Sequence, residues 1–145
     1  MHGYEPLVET RILSSPDQLR NIRDTTRKVL RQNNCPLQFI DDFVLAVNEA
    51  CANIMQHAYK GKCCGDIILE IHKKGDEIRV RLTDFAEPVD KSACKPRQLD
   101  EIRPGGLGVH FMHELMDEVR FLETKAEIGN ILQMKKKITT RQKGE

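Results

Sequence analysis

Apolar and polar positions alternate at two different periods along the chain. LVETRIL, at 7–13, suits a short strand. SSPDQ follows with a Ser cap, a Pro near the first helical turn and an early Asp, the chemistry of a helix start. Leu19, Ile22, Thr26, Val29 and Leu30 then recur at helical spacing, predicting a helix to about Asn33, with Asn33-Asn34 to break it. Pro36 opens a second helix from about Leu37 to Tyr59, with Phe39, Phe43, Val44, Val47, Ala50, Cys51, Ile54 and Ala58 as its apolar stripe. KGKCCG reads as a turn.

Period-2 alternation takes over next. DIILEIHKK and EIRVRLTD predict two strands joined at Lys74-Gly75-Asp76, a tight hairpin. Ile78, Val80 and Leu82 alternate with Arg79, Arg81 and Thr83, so one face of that strand is buried. From Phe85 to Pro104 the pattern dissolves among Pro88, Pro96, Pro104 and mixed charges. A stretch of that length without regular structure is usually functional or disordered. GGLGVHFMHELMD predicts a helix entered through glycines. EVRFLET and NILQMKKKI predict a closing hairpin with Gly129-Asn130 at its turn, and TTRQKGE a frayed tail.

Strands that cluster in hairpins, rather than alternating with helices, imply an α+β fold. The expectation is a two-layer sandwich, a mixed and mostly antiparallel sheet covered on one face by three helices. At 145 residues a single domain spanning 1–145 is expected, with no internal repeat. Composition supports a globular protein: 39% hydrophobic and 31% charged residues, a net charge of +1, and no Trp. The even charge balance argues against direct nucleic-acid binding. No apolar run reaches the roughly 18 residues that span a bilayer, and MHGYEPLVETR lacks a signal-peptide core. No membrane association and a cytoplasmic location are therefore the default expectations. Cys35, Cys51, Cys63, Cys64 and Cys94 form no CxxC pair and are read as free thiols. A zinc site from Cys63, Cys64 and His57 is conceivable, although adjacent cysteines seldom suit one tetrahedral metal.

Three features carry candidate chemistry. Glu49, Asn53 and His57, in NEACANIMQHAY, recur every four residues along the second helix. At roughly 100° per residue they climb one flank of its apolar stripe within about 80° of one another. They form either a polar border or the wall of a pocket. RPGGLGVH, at 103–110, places Gly105, Gly106 and Gly108 before a helix, whose first amides attract anions. It is either a phosphate cradle or a loop-to-helix joint, and it matches neither a P-loop nor GxGxxG. Asp84 closes a strand, where a carboxylate either accepts from a ligand amine or satisfies local backbone.

The order of these features is more specific than any one of them. NEACANIMQHAY, LTDFAEPVD, PGGLGVHFMHELMDEV and GNILQMKK together resemble the GHKL ATP-binding fold. More narrowly they resemble the anti-sigma factor serine/threonine kinases, the switch-protein kinases. The resemblance covers nearly the whole chain. It implies ATP and Mg²⁺ as cofactors, Glu49 as general base, and Asn53 as the Mg²⁺ ligand with His57 bordering the nucleotide. It implies Asp84 as acceptor for the adenine amine, with Ala86 close beside it. Gly105, Gly106, Leu107, Gly108 and Val109 would present backbone to the phosphates, and 85–104 would be the ATP lid. Lys91, Lys95, Arg97 and Arg103 are the lid cations from which a phosphate contact would come, and no motif fixes which one makes it. The implied activity is transfer of the γ-phosphate to a serine of a STAS-domain anti-anti-sigma protein. A sigma factor is a possible second partner, and a homodimer a possible assembly.

One departure stands out. Ala86 and Pro88 occupy the positions of the two glycines in the family's D-x-G-x-G run. Ala adds a methyl where backbone nears adenine, and Pro removes an amide donor and stiffens the start of the lid. This motivates an alternative, a regulatory module that binds ATP or a partner without catalysis. A sensor histidine kinase catalytic domain shares the fold, but no helix pair with a phosphoacceptor His precedes it here.

Overall fold

The computed structural model describes residues 3–58 (backbone alone at 57 and 58), 65–85, 112–122 and 129–138. Among the described residues five strands form one sheet: β1 (Glu5–Leu13), β2 (Asp66–Lys74), β3 (Glu77–Asp84), β4 (Glu118–Leu122) and β5 (Asn130–Lys137). Their order is β1-β2-β3-β5-β4. Every pairing among the described residues is antiparallel, so the mixed component expected of the sheet does not occur within them. The tight turn between β2 and β3 dictates their opposite directions, while β1 meets β2 and β3 meets β5 across long stretches of chain.

The two strands of the central hairpin begin and end where alternation places them, and Gly75 at φ 62° turns the chain between them. Ile67, Leu69, Ile71, Ile78, Val80, Leu82, Leu132 and Met134 line one face and are buried. Helices α1 (Leu19–Gln32) and α2 (Leu37–Asn53) cover that face and complete the core with Ile22, Leu30, Phe43, Val47 and Ala50. The third helix expected over GGLGVHFMHELMD falls within the described residues only at 112–115, which are helical. Met112 and Met116 anchor that turn in the core, and Lys136 Nζ donates to the Leu115 carbonyl at 2.6 Å.

Local chemistry explains the helix ends. Asn34 adopts φ 59°; its N–H reaches the Arg31 carbonyl at 3.0 Å, and the Cys35 N–H reaches the Leu30 carbonyl at 3.1 Å. This is a Schellman close, with Asn in place of the usual Gly. At the start of α1 the Ser cap is not formed as expected. A 3-10 turn at Pro16–Gln18 precedes the helix, and the Ser15 hydroxyl donates to the Asp17 carboxylate rather than accepting from a backbone amide. The Ser15 carbonyl instead takes the Gln18 N–H at 2.8 Å. The second helix is also not α-helical throughout to Tyr59. Its winding changes to π at Ile54–Ala58, immediately after Asn53.

The other face of the sheet carries charge. Arg81 Nε donates to Gln133 Oε1 at 2.8 Å, the Tyr4 hydroxyl donates to Glu77, and the Arg79 guanidinium lies 3.7 Å over the Tyr4 ring.

Candidate nucleotide site

Helix α2 begins near the start of β3. Phe39, near the helix start, lies under Lys136, whose Nζ is 5.9 Å from the ring; Lys136 pairs with Ile78 near the start of β3. From Phe39 to Asn53 the helix advances ~21 Å at 1.5 Å per residue. From Ile78 to Asp84 the strand advances ~20 Å. Glu49 and Asn53 stand in the last turns of α2, and Asp84 is the last residue of β3.

Asp84 ends a row whose earlier members, Ile78, Val80 and Leu82, are all core residues. Its register partners are Ile67 and Asn130. It is only 3% exposed. A carboxylate buried at the end of an apolar row is costly unless partnered. Asn130 Nδ2 donates to Asp84 Oδ1 at 2.9 Å. Gly129, at φ 112°, lies so close that an added Cβ would sit 3.0 Å from the Asp84 carbonyl oxygen. Only glycine meets both conditions at this position.

Asn53 is the last residue of α2, and its Nδ2 is buried without a hydrogen-bond partner. An amide donor in that state costs about 1–3 kcal/mol. The π winding begins at the next residue. π turns inside helices are rare and concentrate at functional sites. Glu49, one turn earlier, is half-buried. Beside it, Asn48 Oδ1 accepts from Arg23 Nη1 at 2.9 Å, tying α1 to α2.

His57 lies in the π segment, so the uniform 100° phase that aligned it with Glu49 and Asn53 does not carry past residue 53. Ala86, Gly105, Gly106, Leu107, Gly108 and Val109 lie outside the described residues, as do Lys91, Lys95, Arg97, Arg103 and the cysteines 63, 64 and 94. The chain leaves the sheet through Phe85, which is 40% exposed with the Arg11 guanidinium 5.5 Å from its ring centre. Among the described residues no group of three or more His, Cys, Asp or Glu assembles a metal site. Nor is any helix among them long and apolar enough to cross a membrane.

Sequence reading missed two residues here. In sequence Asn130 and Gly129 read only as turn residues, yet one holds the buried carboxylate and the other makes room for it. The signal was present in the strand spacing, which sets Asn130 opposite Asp84 once the hairpins are paired.

Residues 12–136 match the family model described as "Histidine kinase-like ATPase domain". The chain is 32% identical over 149 residues to the serine-protein kinase RsbW of Bacillus pumilus, covering 94% of this chain and 88% of that protein. It is 30% identical over 154 residues to RsbW of Staphylococcus aureus, covering 100% of this chain and 97% of that one. Among solved structures, the RsbU and RsbW domains of a Mycobacterium tuberculosis protein superpose with a TM-score of 0.66 at 17% identity. That match covers 90% of this chain and 31% of the longer one. The SiaB-SiaC complex of Pseudomonas aeruginosa superposes with a TM-score of 0.64, also at 17% identity, over 90% of this chain and 89% of the other. These two likenesses establish the shared fold. The chain belongs to the histidine kinase-like ATPase domain family and, within it, to the RsbW serine-protein kinases.

Proposed function

We propose that this protein binds Mg-ATP and transfers the γ-phosphate to a serine of a STAS-domain anti-anti-sigma protein, so controlling a sigma factor by partner switching. The carrying observation is the buried, unsatisfied amide of Asn53 one helical turn after Glu49, with Asp84 buried at the end of β3. In this reading one domain spans 1–145, works in the cytoplasm, takes a sigma factor as a second partner and assembles as a homodimer.

Each residue has a physical role. Asp84, held at Oδ1 by Asn130, accepts from the adenine amine. Glu49 accepts the proton of the attacking serine hydroxyl, which a half-buried carboxylate does well when held within hydrogen-bond reach. Asn53 fits a magnesium site, since Mg²⁺ takes few protein oxygens and completes its octahedron with phosphate oxygens and water. With Asn53 Oδ1 given to the ion, the orphan Nδ2 is free to donate to a phosphate oxygen. The bound ion would neutralise charge on the β- and γ-phosphates. Gly105, Gly106, Leu107, Gly108 and Val109 would supply backbone amides to the phosphates, and His57 and Ala86 would border the nucleotide.

The test is transfer of labelled γ-phosphate to purified STAS-domain proteins, with Glu49→Ala as control. Transfer by the wild type and its loss in the variant are the expected results. Clear ATP binding with no transfer to any acceptor would sink the kinase reading. It would favour a non-catalytic module, to which Ala86 and Pro88 already point.

A further inference from the structure

Asp84 and Phe85 are neighbours in the chain but stand on opposite faces of the sheet. Asp84 points toward the core and is 3% exposed, whereas Phe85 is 40% exposed. Strand alternation accounts for the reversal. Each side chain is then met by a different strand. On the core side Asn130 of β5 donates to the Asp84 carboxylate at 2.9 Å. On the outer side Arg11 of β1 holds its guanidinium 5.5 Å from the centre of the Phe85 ring. Arg11 precedes the buried Ile12, which puts it on that outer face. Behind the step, a Cβ on Gly129 would come within 3.0 Å of the Asp84 carbonyl oxygen.

Arg11 is itself aimed. Its Nη1 donates to Oδ2 of Asp66, the first residue of β2, at 2.7 Å. Ile67, the next residue, pairs with Asp84, so Asp66 lies one step from the strand end. The Arg11 side chain is 60% exposed and that of Asp66 36% exposed. An ion pair so placed contributes little to stability. Its consequence is geometric, because it holds a planar cation over the aromatic ring, whose quadrupole attracts it. Arginine suits both contacts at once, since a guanidinium binds a carboxylate and stacks on a ring. The ladders of β2 and β5 with β3 both end at Asp84. Beyond it the Arg11 contact, rather than sheet pairing, ties the chain to β1.

We infer that Arg11 is a positioning residue for adenine recognition. It holds the Phe85 side chain on the outer face and, through the peptide the two residues share, the Asp84 carboxylate on the inner one. The inference rests on the nucleotide reading of Asp84 given above and adds what keeps that acid aligned. Asn130 holds the carboxylate itself, and Arg11 holds the backbone that carries it. Arg11 touches no part of the nucleotide in this reading. Its effect is therefore confined to the contact that Asp84 makes, the hydrogen bond from the exocyclic amine.

The experiment measures Kd by titration calorimetry for Mg-ATP and for the magnesium complex of purine riboside triphosphate, which lacks the exocyclic amine. Wild type is compared with Arg11→Gln and Arg11→Lys, and with Phe85→Leu as a second way to remove the contact. Arg11→Gln and Phe85→Leu are expected to weaken ATP binding about two- to fivefold, the scale of an exposed cation–π contact. Binding of purine riboside triphosphate is expected to stay unchanged, as is the Tm of Arg11→Gln. Arg11→Lys is expected to recover part of the loss, because an ammonium keeps a cation between the carboxylate and the ring. Unchanged ATP affinity in Arg11→Gln and Phe85→Leu overturns the positioning role and leaves Asp84 as the adenine acceptor. Equal weakening of both nucleotides also overturns it, since the effect would then not pass through the amine. A wild type that binds neither nucleotide, or binds both equally, overturns the reading of Asp84 itself, and the role of Arg11 falls with it.

Discussion

Asn130 donates its side-chain amide to the carboxylate of Asp84 at 2.9 Å, directly across the β3–β5 ladder. The bond holds a buried acid in one orientation at the end of the sheet. Asn130→Ala removes the donor and leaves the carboxylate less satisfied. The expected loss of stability is about 1–3 kcal/mol, read from urea midpoints, together with roughly tenfold weaker ATP binding. Full ATP affinity in this variant would show that Asp84 needs no such support.

Gly129 is the packing counterpart of that bond. An alanine there meets both a positive φ of 112° and a 3.0 Å approach to the Asp84 carbonyl oxygen. Gly129→Ala is expected to destabilise the fold by more than ~1 kcal/mol, the usual scale when a side chain enters a left-handed position. Thermal unfolding measures it, and Gly75→Ala is the comparison. Gly75 is also left-handed, but an added Cβ there meets nothing within 4 Å.

Asn53 sets function against stability. Its buried, unpartnered Nδ2 is a cost in the free protein. Asn53→Ala removes that cost, so the variant is expected to be at least as stable as wild type while magnesium-dependent ATP affinity falls. Stabilising changes at a functional site commonly have this signature. Calorimetry with and without EDTA, beside denaturant melts, checks both halves. A destabilised variant with normal Mg-ATP binding would refute the assignment.

His72 makes the fold sensitive to acid. Burial lowers its pKa below the ordinary 6.5, followed by Arg79 and Arg81, while Glu70 and Glu9 oppose the shift. A folded-state pKa below the unfolded one means that stability is complete above about pH 6.5 and declines as pH falls through the folded value. His72→Gln is expected to flatten this decline between neutral and mildly acidic pH in urea titrations. An equal decline in both proteins would place the acid sensitivity elsewhere.

Cys51 behaves oppositely. Full burial pushes its thiol up to about 12 from 9.0. A raised pKa contributes stability that is present below about pH 9 and lost as pH rises toward the folded value. Buried thiols in apolar surroundings are inert, so iodoacetamide at pH 8 is expected to spare Cys51 in the native protein and label it in urea. Rapid native labelling, followed by peptide mass analysis, would contradict the packed α2.

Much of this protein was legible from periodicity. The α1 stripe, the β2–β3 hairpin and the β5 run are local patterns, each set by burial of one face. The tight turn at Gly75 then forced β2 and β3 to run antiparallel. Candidate residues were legible to the extent that each stands in a local motif: Glu49 and Asn53 are one helical turn apart, and Asp84 ends an alternating strand. The 3-10 entry to α1 and the π winding after Asn53 were not legible, because both trade one backbone hydrogen-bond register for another at small energetic difference.

Sequence alone determined the α+β class, the apolar faces, the position of Asp84 at a strand end and the resemblance to ATP-binding kinases. Tertiary structure decided what depends on pairing across distance. Asp84 is buried because β3 lies inside the sheet, and it is held because register places Asn130 opposite. Glu49 and Asn53 are half-buried because α2 packs on the apolar face of the sheet. Such relations join residues far apart in the chain, and they are set by which faces bury together rather than by any local preference.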